Sequence, residues 1–238
     1  MPTTEPITPR LKNDNWDLHQ IAERGDTPAS LIKGTITRDA YADTLAQGLL
    51  VHRVLDDALA RAVERMPELD AVVGQTRSFA PWYEADLRFF GRDPEAAEPT
   101  PGTRRYIEHI DARAHEPLHI LGLHYVRLGA SNGNRFVARK LREIFGIEHE
   151  TDGMRALDPF GESQRSVWQA FKERLDALDL SDAQRDELFE GTRAAYVRTI
   201  NLDLDEEMSA EDLLAAHGKT LDRDAFNKGH SVHAEAQA

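Results

Sequence analysis

The sequence predicts an all-α, single-domain fold, and three features carry that expectation. Apolar residues recur three or four positions apart along most of the chain, and no alternating run is long enough for a sheet. Of 238 residues, 30% are charged and only 7% aromatic, which suits a soluble helical protein better than a β-sandwich. The length fits one generous domain, and 40% apolar residues suffice to fill its core. The expected boundaries are a helical domain over 8–218, with polar, mobile segments at 1–7 and 219–238.

The elements follow in order from capping and breaking residues. The segment Trp16-Asp17-Leu18-His19-Gln20-Ile21-Ala22-Glu23 reads as helix, with Glu23 one turn beyond His19. Thr37 is placed to cap a long helix whose apolar stripe runs through Tyr41, Leu45, Leu49, His52, Leu55, Leu59, Ala62 and Met66. Ile36 and Tyr41 are spaced as a hydrophobic staple across its start, and Pro67 ends it. A second helix is expected from about Phe79 to Phe90, stopped by Gly91, and Arg92 to Pro101 reads as a loop. Thr100-Pro101 opens the next helix, with Tyr106, Ile110 and Ala114 on one face, and Pro117 breaks it. From Leu118 to Phe145 the pattern is helical at both ends, but Gly129, Asn132, Gly133 and Asn134 interrupt its middle. After Gly146 a polar loop leads to Gly161, and Val167, Trp168, Phe171 and Leu175 mark another helix. Ser181 with Gln184 forms a capping box for the helix through Leu188, Ala195, Tyr196 and Ile200. Ser209 with Asp212 opens a short last helix ended by Gly218.

Composition excludes several classes of function. The 42 Asp and Glu against 29 Lys and Arg give a formal charge of −13, which argues against nucleic acid and against an anionic membrane surface as partners. The absence of cysteine removes disulfides, thiolate metal sites, iron–sulfur clusters and cysteine nucleophiles. The start Met1-Pro2-Thr3-Thr4-Glu5-Pro6 has neither the basic nor the apolar region of a signal peptide. No stretch approaches the roughly 18 apolar residues of a membrane helix. The expectation is a cytoplasmic protein. Dinucleotide, P-loop and α/β-hydrolase motifs are all missing.

Three features remain for chemistry. His19 with Glu23 has the spacing at which a carboxylate takes the Nδ1 proton of an imidazole and leaves Nε2 as a donor to a metal. The same spacing also occurs in surface histidines, and the two residues alone favour that blander reading. Gly129 and Gly133 lie four apart on one helix face, where each glycine costs on the order of 1 kcal/mol against alanine. Such a face admits a flat partner, a closely packed helix, or simply a loop. The run His109, His115, His119, His124 contains a Glu116-x-x-His119 pair, but one pair split by Pro117 is far short of a di-iron set and reads as polar helix surface. His52 falls on an apolar stripe and reads as a core histidine.

From about Lys12 to Glu207 the chain resembles the heme oxygenase family. The anchors are His19-Gln20-Ile21-Ala22-Glu23 followed by Lys33-Gly34-Thr35-Ile36-Thr37; Leu50-Val51-His52 leading into Leu55-Asp56-Asp57; Asp86-Leu87-Arg88-Phe89-Phe90-Gly91 with Thr100-Pro101 and Arg105-Tyr106; and Tyr125-Val126-Arg127-Leu128-Gly129-Ala130-Ser131-Asn132-Gly133-Asn134. None is specific alone, but four in order at nearly the family spacing are. The resemblance implies a heme oxygenase-like fold with heme b, both substrate and cofactor, sandwiched between a proximal helix and a kinked distal helix. It implies His19 as the axial iron ligand oriented by Glu23, and the Gly129/Gly133 face over the other side of the ring. Lys12 and Lys172 match basic positions that meet the propionates, and Tyr125 and Tyr196 fall near aromatic positions of the pocket. Gly129, Ser131, Asn132 and Gly133 make up the expected catalytic stretch.

The implied reaction opens heme with O₂ and reducing equivalents to biliverdin, CO and ferrous iron. Electrons come from a separate ferredoxin or reductase, because the chain has no flavin or nicotinamide motif. One departure stands out: Ala130 occupies the position where the family pattern has an aspartate that holds a proton-delivering water network. Two alternatives follow, a heme-binding carrier or sensor that has lost turnover, and a non-heme di-iron oxygenase using Glu116 and His119.

Overall fold

A computed structural model describes residues 5–149 and 152–217, and every regular element among them is helical. Three short helices lead the chain: α1 (Thr8–Asn13), α2 (Trp16–Ala22) and α3 (Asp26–Lys33). The long α4 (Arg38–Arg65) follows, then α5 (Leu69–Val73), α6 (Ala80–Phe89) and α7 (Pro101–Arg113). The second long helix, α8 (Pro117–Phe145), precedes α9 (Gln164–Asp176), α10 (Asp182–Ile200) and α11 (Ala210–His217).

The expected caps form. The Thr37 hydroxyl accepts from the Ala40 N–H at the start of α4, Thr100 caps α7 with Pro101 behind it, and Ser181 and Gln184 make a reciprocal capping box on α10. Ser209 accepts from the Asp212 N–H ahead of α11. Met66 ends α4 just before Pro67, and Gly91 follows α6 with φ +72°. The helices without a prediction, α1, α3 and α5, have five to eight residues each, too few turns for a periodic stripe to declare itself.

α8 runs through both halves of the core. Its first half packs Leu118, Leu121 and Leu128 with Leu55 and Leu59 of α4, Phe171 of α9 and Leu188 of α10. Its second half packs Ala138 and Leu141 with Tyr41, Leu45 and Leu87. Packing on both sides explains why the predicted interruption is absent. α8 is one continuous 29-residue helix through Gly129–Asn134. Lateral contacts of its other residues offset the helix-propensity cost of two glycines, and the Asn132 side chain donates to the Gly129 carbonyl at 2.9 Å. α8 and α10 approach each other closely. A Cβ at Gly122 would stand 2.5 Å from the Leu188 carbonyl oxygen, and one at Gly191 would stand 2.1 Å from that of His119.

One boundary needs correcting. Ile7, expected in a polar mobile segment, is 1% exposed in the core, and Thr8 is tied through its N–H and hydroxyl to the Asp176 carboxylate at 2.9 and 2.7 Å. Residues 1–4, Gly218 and the predicted tail 219–238 lie outside the described residues.

Candidate functional site

α2 buries Trp16, Leu18, Gln20 and Ile21 and leaves His19 partly exposed. Positions three and four apart share a helix face, so Lys12, Trp16, His19 and Glu23 line up on one side. The geometry follows that spacing. The Trp16 and His19 rings stack with centroids 5.2 Å apart and planes 9° apart, and the Lys12 ammonium sits 5.9 Å from the Trp16 ring. Glu23 places a carboxylate oxygen 3.9 Å from His19 Nδ1, the separation of an ion pair rather than of a direct hydrogen bond. Tyr196 of α10 meets the imidazole edge-on at 5.7 Å.

The glycine surface of α8 differs sharply along its length. Gly122 is jammed against the backbone of α10, whereas a Cβ at Gly133 would meet nothing within 4 Å. At Gly129 a Cβ would touch the Trp168 indole of α9 at 3.4 Å, ordinary van der Waals contact. Trp168 also packs on Tyr125 at 5.1 Å and stacks on Phe171 at 5.7 Å, with the Lys172 ammonium 5.7 Å from its ring. Burial raises the Tyr125 hydroxyl pKa above the usual phenol range, and Tyr196 adds to the shift. The ring contacts thus lead from His19 to Tyr196, and from Tyr125 through Trp168 to Gly129. Of the expected residues, Lys12, His19, Glu23 and Tyr196 belong to the first set of contacts, Tyr125, Gly129 and Lys172 to the second, and Gly133 extends the bare face.

Two expected catalytic residues are placed differently. Ser131, two residues from each glycine and therefore nearly opposite on the helix, is 2% exposed and faces the core. Asn132 faces α9, where it bonds the Gly129 carbonyl and accepts from Gln164 at 3.4 Å. Ala130 is exposed.

Arg127, one turn before Ala130 on α8, is committed to a buried network. Its Nη1 donates to Asp56 Oδ1 at 2.5 Å, its Nε to His124 Nδ1 at 3.0 Å and its Nη2 to the Arg77 carbonyl at 3.2 Å. The Phe79 ring covers its guanidinium at 4.5 Å. The network extends both ways. Asp56 Oδ2 accepts from the Ser78 hydroxyl and from the Phe79 and Ala80 N–H groups, each at 2.9 Å, and so caps α6. Because Nδ1 of His124 accepts, its Nε2 carries the proton toward the Thr76 hydroxyl at 2.9 Å, which donates onward to the Val73 carbonyl. Burial holds the His124 pKa well below the ordinary value, with Arg127 pushing the same way. A neutral imidazole is what this bond pattern requires. This network ties α4, α6 and α8 together. Its only trace in the sequence is an Arg three residues after a His inside an otherwise apolar run.

Of the histidine run only His115 lies exposed on the surface. His119 and His124 are buried, and His119 shares a 3.0 Å Nε2–Nε2 hydrogen bond with His109 of α7. Burial lowers both His109 and His119 to about 4. His119 Nδ1 lies 3.8 Å from Glu116. Among the described residues no group of three or more His, Asp or Glu is arranged to hold a metal ion, so the di-iron alternative finds no ligand set. His52, as expected, is satisfied within its helix, with Nδ1 2.7 Å from the Gly48 carbonyl and its ring on Tyr83 at 4.4 Å.

A cavity of about 740 Å³ opens on the other side of α9, between Val72–Thr76 and Phe160, Ser166 and Arg174. None of the predicted site residues lines it. The α2–α8 residues, by contrast, fit a particular kind of ligand. A single partly exposed imidazole suits one ligand position on a metal, indole rings suit a flat aromatic body, and Lys12 and Lys172 suit two carboxylates. The bare Gly133 surface suits close approach of a plane. The contacts of Trp16 and Trp168 are not evident from the sequence, although each stands four residues from the lysine beside it, Lys12 before Trp16 and Lys172 after Trp168.

Comparison with known proteins identifies a family and a fold. The family model described as heme oxygenase matches residues 5–204. Human heme oxygenase 1 is 22% identical over 207 residues, covering 85% of this chain and 71% of the human protein. The structure of heme oxygenase from Leptospira interrogans superposes with a TM-score of 0.74 at 19% identity, over 83% of this chain and 98% of that one. Heme oxygenase-1 from the cyanobacterium Synechocystis, solved in complex with heme, gives 0.74 at 15% identity over 94% and 99%. No described helix is long and apolar enough to cross a membrane.

Proposed function

The chain belongs to the heme oxygenase family, and on that premise we propose that it holds heme between α2 and the glycine surface of α8 and opens the ring to biliverdin, CO and ferrous iron. Heme is then both substrate and cofactor, supplying the redox-active iron and the macrocycle that is cleaved. His19 is the axial ligand, and Glu23 favours the tautomer that leaves Nε2 as the donor. Lys12 and Lys172 take the propionates and fix which edge of the ring enters first. Gly129 and Gly133 let the backbone of α8 come close to the other face, and Trp16 and Trp168 exclude water beside it. O₂ and electrons are supplied from outside the chain.

The observation that supports this reading is a partly exposed, tryptophan-stacked His19 on α2 in a fold that also leaves open space where a Cβ at Gly133 of α8 would stand. Its test is an optical titration with heme. Wild type is expected to give a histidine-ligated Soret spectrum, His19→Ala to lose it, and exposed His115→Ala to keep it. Unaltered binding by His19→Ala would sink the ligand assignment.

One observation favours a second reading, a carrier or sensor without turnover. Ala130 is exposed and offers no carboxylate, and Arg127 is held in the core. Adding O₂ and reductant to the heme complex separates the two. Biliverdin absorption supports the oxygenase, and a stable heme spectrum supports the carrier.

A further inference from the structure

The histidine pair between α7 and α8 belongs neither to the α2 contacts nor to the Arg127 network. His109, in the second half of α7, and His119, in the first turn of α8, turn their Nε2 atoms toward each other at 3.0 Å, with ring centroids 5.1 Å apart. His119 is buried and His109 is partly exposed, so the pair lies just under the surface with one ring open to water. Pro117 breaks the chain between the two helices and lets them fold back on each other, which brings residues ten apart in sequence face to face.

Two features of the pair go beyond a structural hydrogen bond. The first is the spacing of the nitrogens. Zinc holds imidazole nitrogen at about 2.0–2.1 Å, so two such nitrogens on one tetrahedral ion stand about 3.3 Å apart, only slightly more than here. The second is an orienting carboxylate. Glu116 Oε2 lies 3.8 Å from His119 Nδ1, and Glu116 Oε1 accepts from Arg113 at 2.7 Å. A carboxylate behind an imidazole favours the proton on Nδ1 and leaves Nε2 as the donor to an ion. Both rings are also in the ligating form. Burial holds them at about 4, so at neutral pH no proton competes for the nitrogens. The cations that face the pair have partners of their own, Arg113 in Glu116 and Arg198 of α10 in Glu207.

We propose that His109 and His119 form a two-histidine site for a divalent late first-row metal ion such as zinc, with Glu116 orienting His119 and water in the remaining positions. Imidazole nitrogen suits this class of ion, and two nitrogens without a ligating carboxylate do not make a di-iron set. The ion takes the place of the N–H···N bond. The proton on the donating Nε2 moves to Nδ1 of its own ring, both Nε2 lone pairs go to the metal, and no proton or electron is released. The bound ion ties α7 to the start of α8. Because the unfolded chain does not hold the two rings together, binding stabilises the fold by mass action. The site does not depend on the heme reading.

The test is calorimetric titration of zinc chloride into the full-length, metal-free protein, with thermal denaturation in parallel. Wild type is expected to bind zinc and to melt at a higher temperature with it, and X-ray absorption of the complex is expected to show two imidazole nitrogens on the metal. His109→Asn and His119→Gln are expected to lose this binding and the shift in melting temperature. Glu116→Gln is expected to weaken it by about tenfold or more, the usual cost of removing an orienting carboxylate. His19→Ala and His115→Ala are expected to bind zinc as wild type does. His109 is partly exposed, so His109→Asn keeps the proposal testable if His119→Gln does not fold. No zinc binding by wild type overturns the proposal, and so does unchanged binding by folded His109→Asn. Loss of binding in His115→Ala but not in His109→Asn also overturns it, because the ion would then sit on the exposed His115 and Glu116 instead.

Discussion

Replacing Gly133 by alanine should push stability and ligand affinity in opposite directions. The position is inside a continuous helix, and a Cβ there meets no atom within 4 Å. Alanine should therefore stabilise the heme-free protein by about 1 kcal/mol, the ordinary helix-propensity difference. For a domain of this size that raises the melting temperature by roughly 2–4 °C. If a flat ring lies against this surface, the added methyl stands in its way. An overpacked contact of that kind costs about 1–3 kcal/mol, or roughly 5–150-fold in affinity. Gly122→Ala is the contrast. Its Cβ would stand 2.5 Å from a backbone carbonyl of α10, so it should destabilise the heme-free fold outright. The assay pairs thermal denaturation of heme-free protein with Soret titration. A Gly133→Ala protein that is more stable and binds heme with wild-type affinity would refute the assignment of this surface to the ring.

Three further outcomes follow from the geometry. Arg127→Met breaks the pair with Asp56, whose carboxylate keeps its three partners at the start of α6, and leaves the buried His124 Nδ1 without a donor. It should cost about 1–3 kcal/mol in chemical denaturation, while an exposed control such as Arg139→Met should change stability by less than about 0.5 kcal/mol. Ala130→Asp, on an exposed position, should leave the fold intact and raise the yield of biliverdin per heme. An unchanged yield, measured by absorption after a single turnover, would mean that another group already delivers the proton. Stability should fall on acidification between pH 6.5 and 4. His109 and His119 are held near 4 in the fold against an ordinary 6.5, so in that window the unfolded chain binds protons that the folded one refuses. The stabilisation is complete above pH 6.5 and lost as pH falls toward 4, by on the order of 3 kcal/mol for His119. Arg113 and Arg198 add to the refusal and Glu116 opposes it. His119→Gln should remove its share of the slope and leave the shares of His52, His109 and His124, which burial also lowers, and a slope identical to wild type would show that His119 does not contribute.

What the sequence made legible was whatever rests on local rules. Thr37, Thr100 and Ser181 cap helices because a hydroxyl at that position satisfies an orphan N–H wherever the helix packs. Lys12, Trp16, His19 and Glu23 share a face because of helical spacing alone. The rest depends on what lies across from a residue, and single-chain spacing is silent about that. His119 and His124 looked like surface because histidine is polar, yet α7, α10 and Arg127 surround them. Ser131 looked like part of a functional stretch because it sits between two glycines, yet half a turn of helix carries it into the core. The glycines themselves looked like a break, because the packing that offsets their propensity cost is supplied by α4, α9 and α10.

The two sides of α8 explain each other. On one side Arg127, His124 and Ser131 are buried, and the Asp56 carboxylate holds Arg127 while capping α6, so any rotation of α8 would break several buried bonds at once. On the opposite side Gly129 and Gly133 carry no side chain. A bare helix surface is useful to a flat ligand only if it cannot turn away or collapse, and the buried network supplies that restraint. The same restraint has a cost in chemistry. With Arg127 spent on fixing the helix, its guanidinium is not available beside Ala130. Loosening the network through Arg127→Lys, which keeps the charge but not the three-way bonding, should therefore disturb the direction of ring opening before it disturbs heme affinity. A mixture of biliverdin isomers from that variant, where wild type gives one, would tie the core network to the chemistry on the far side of the helix.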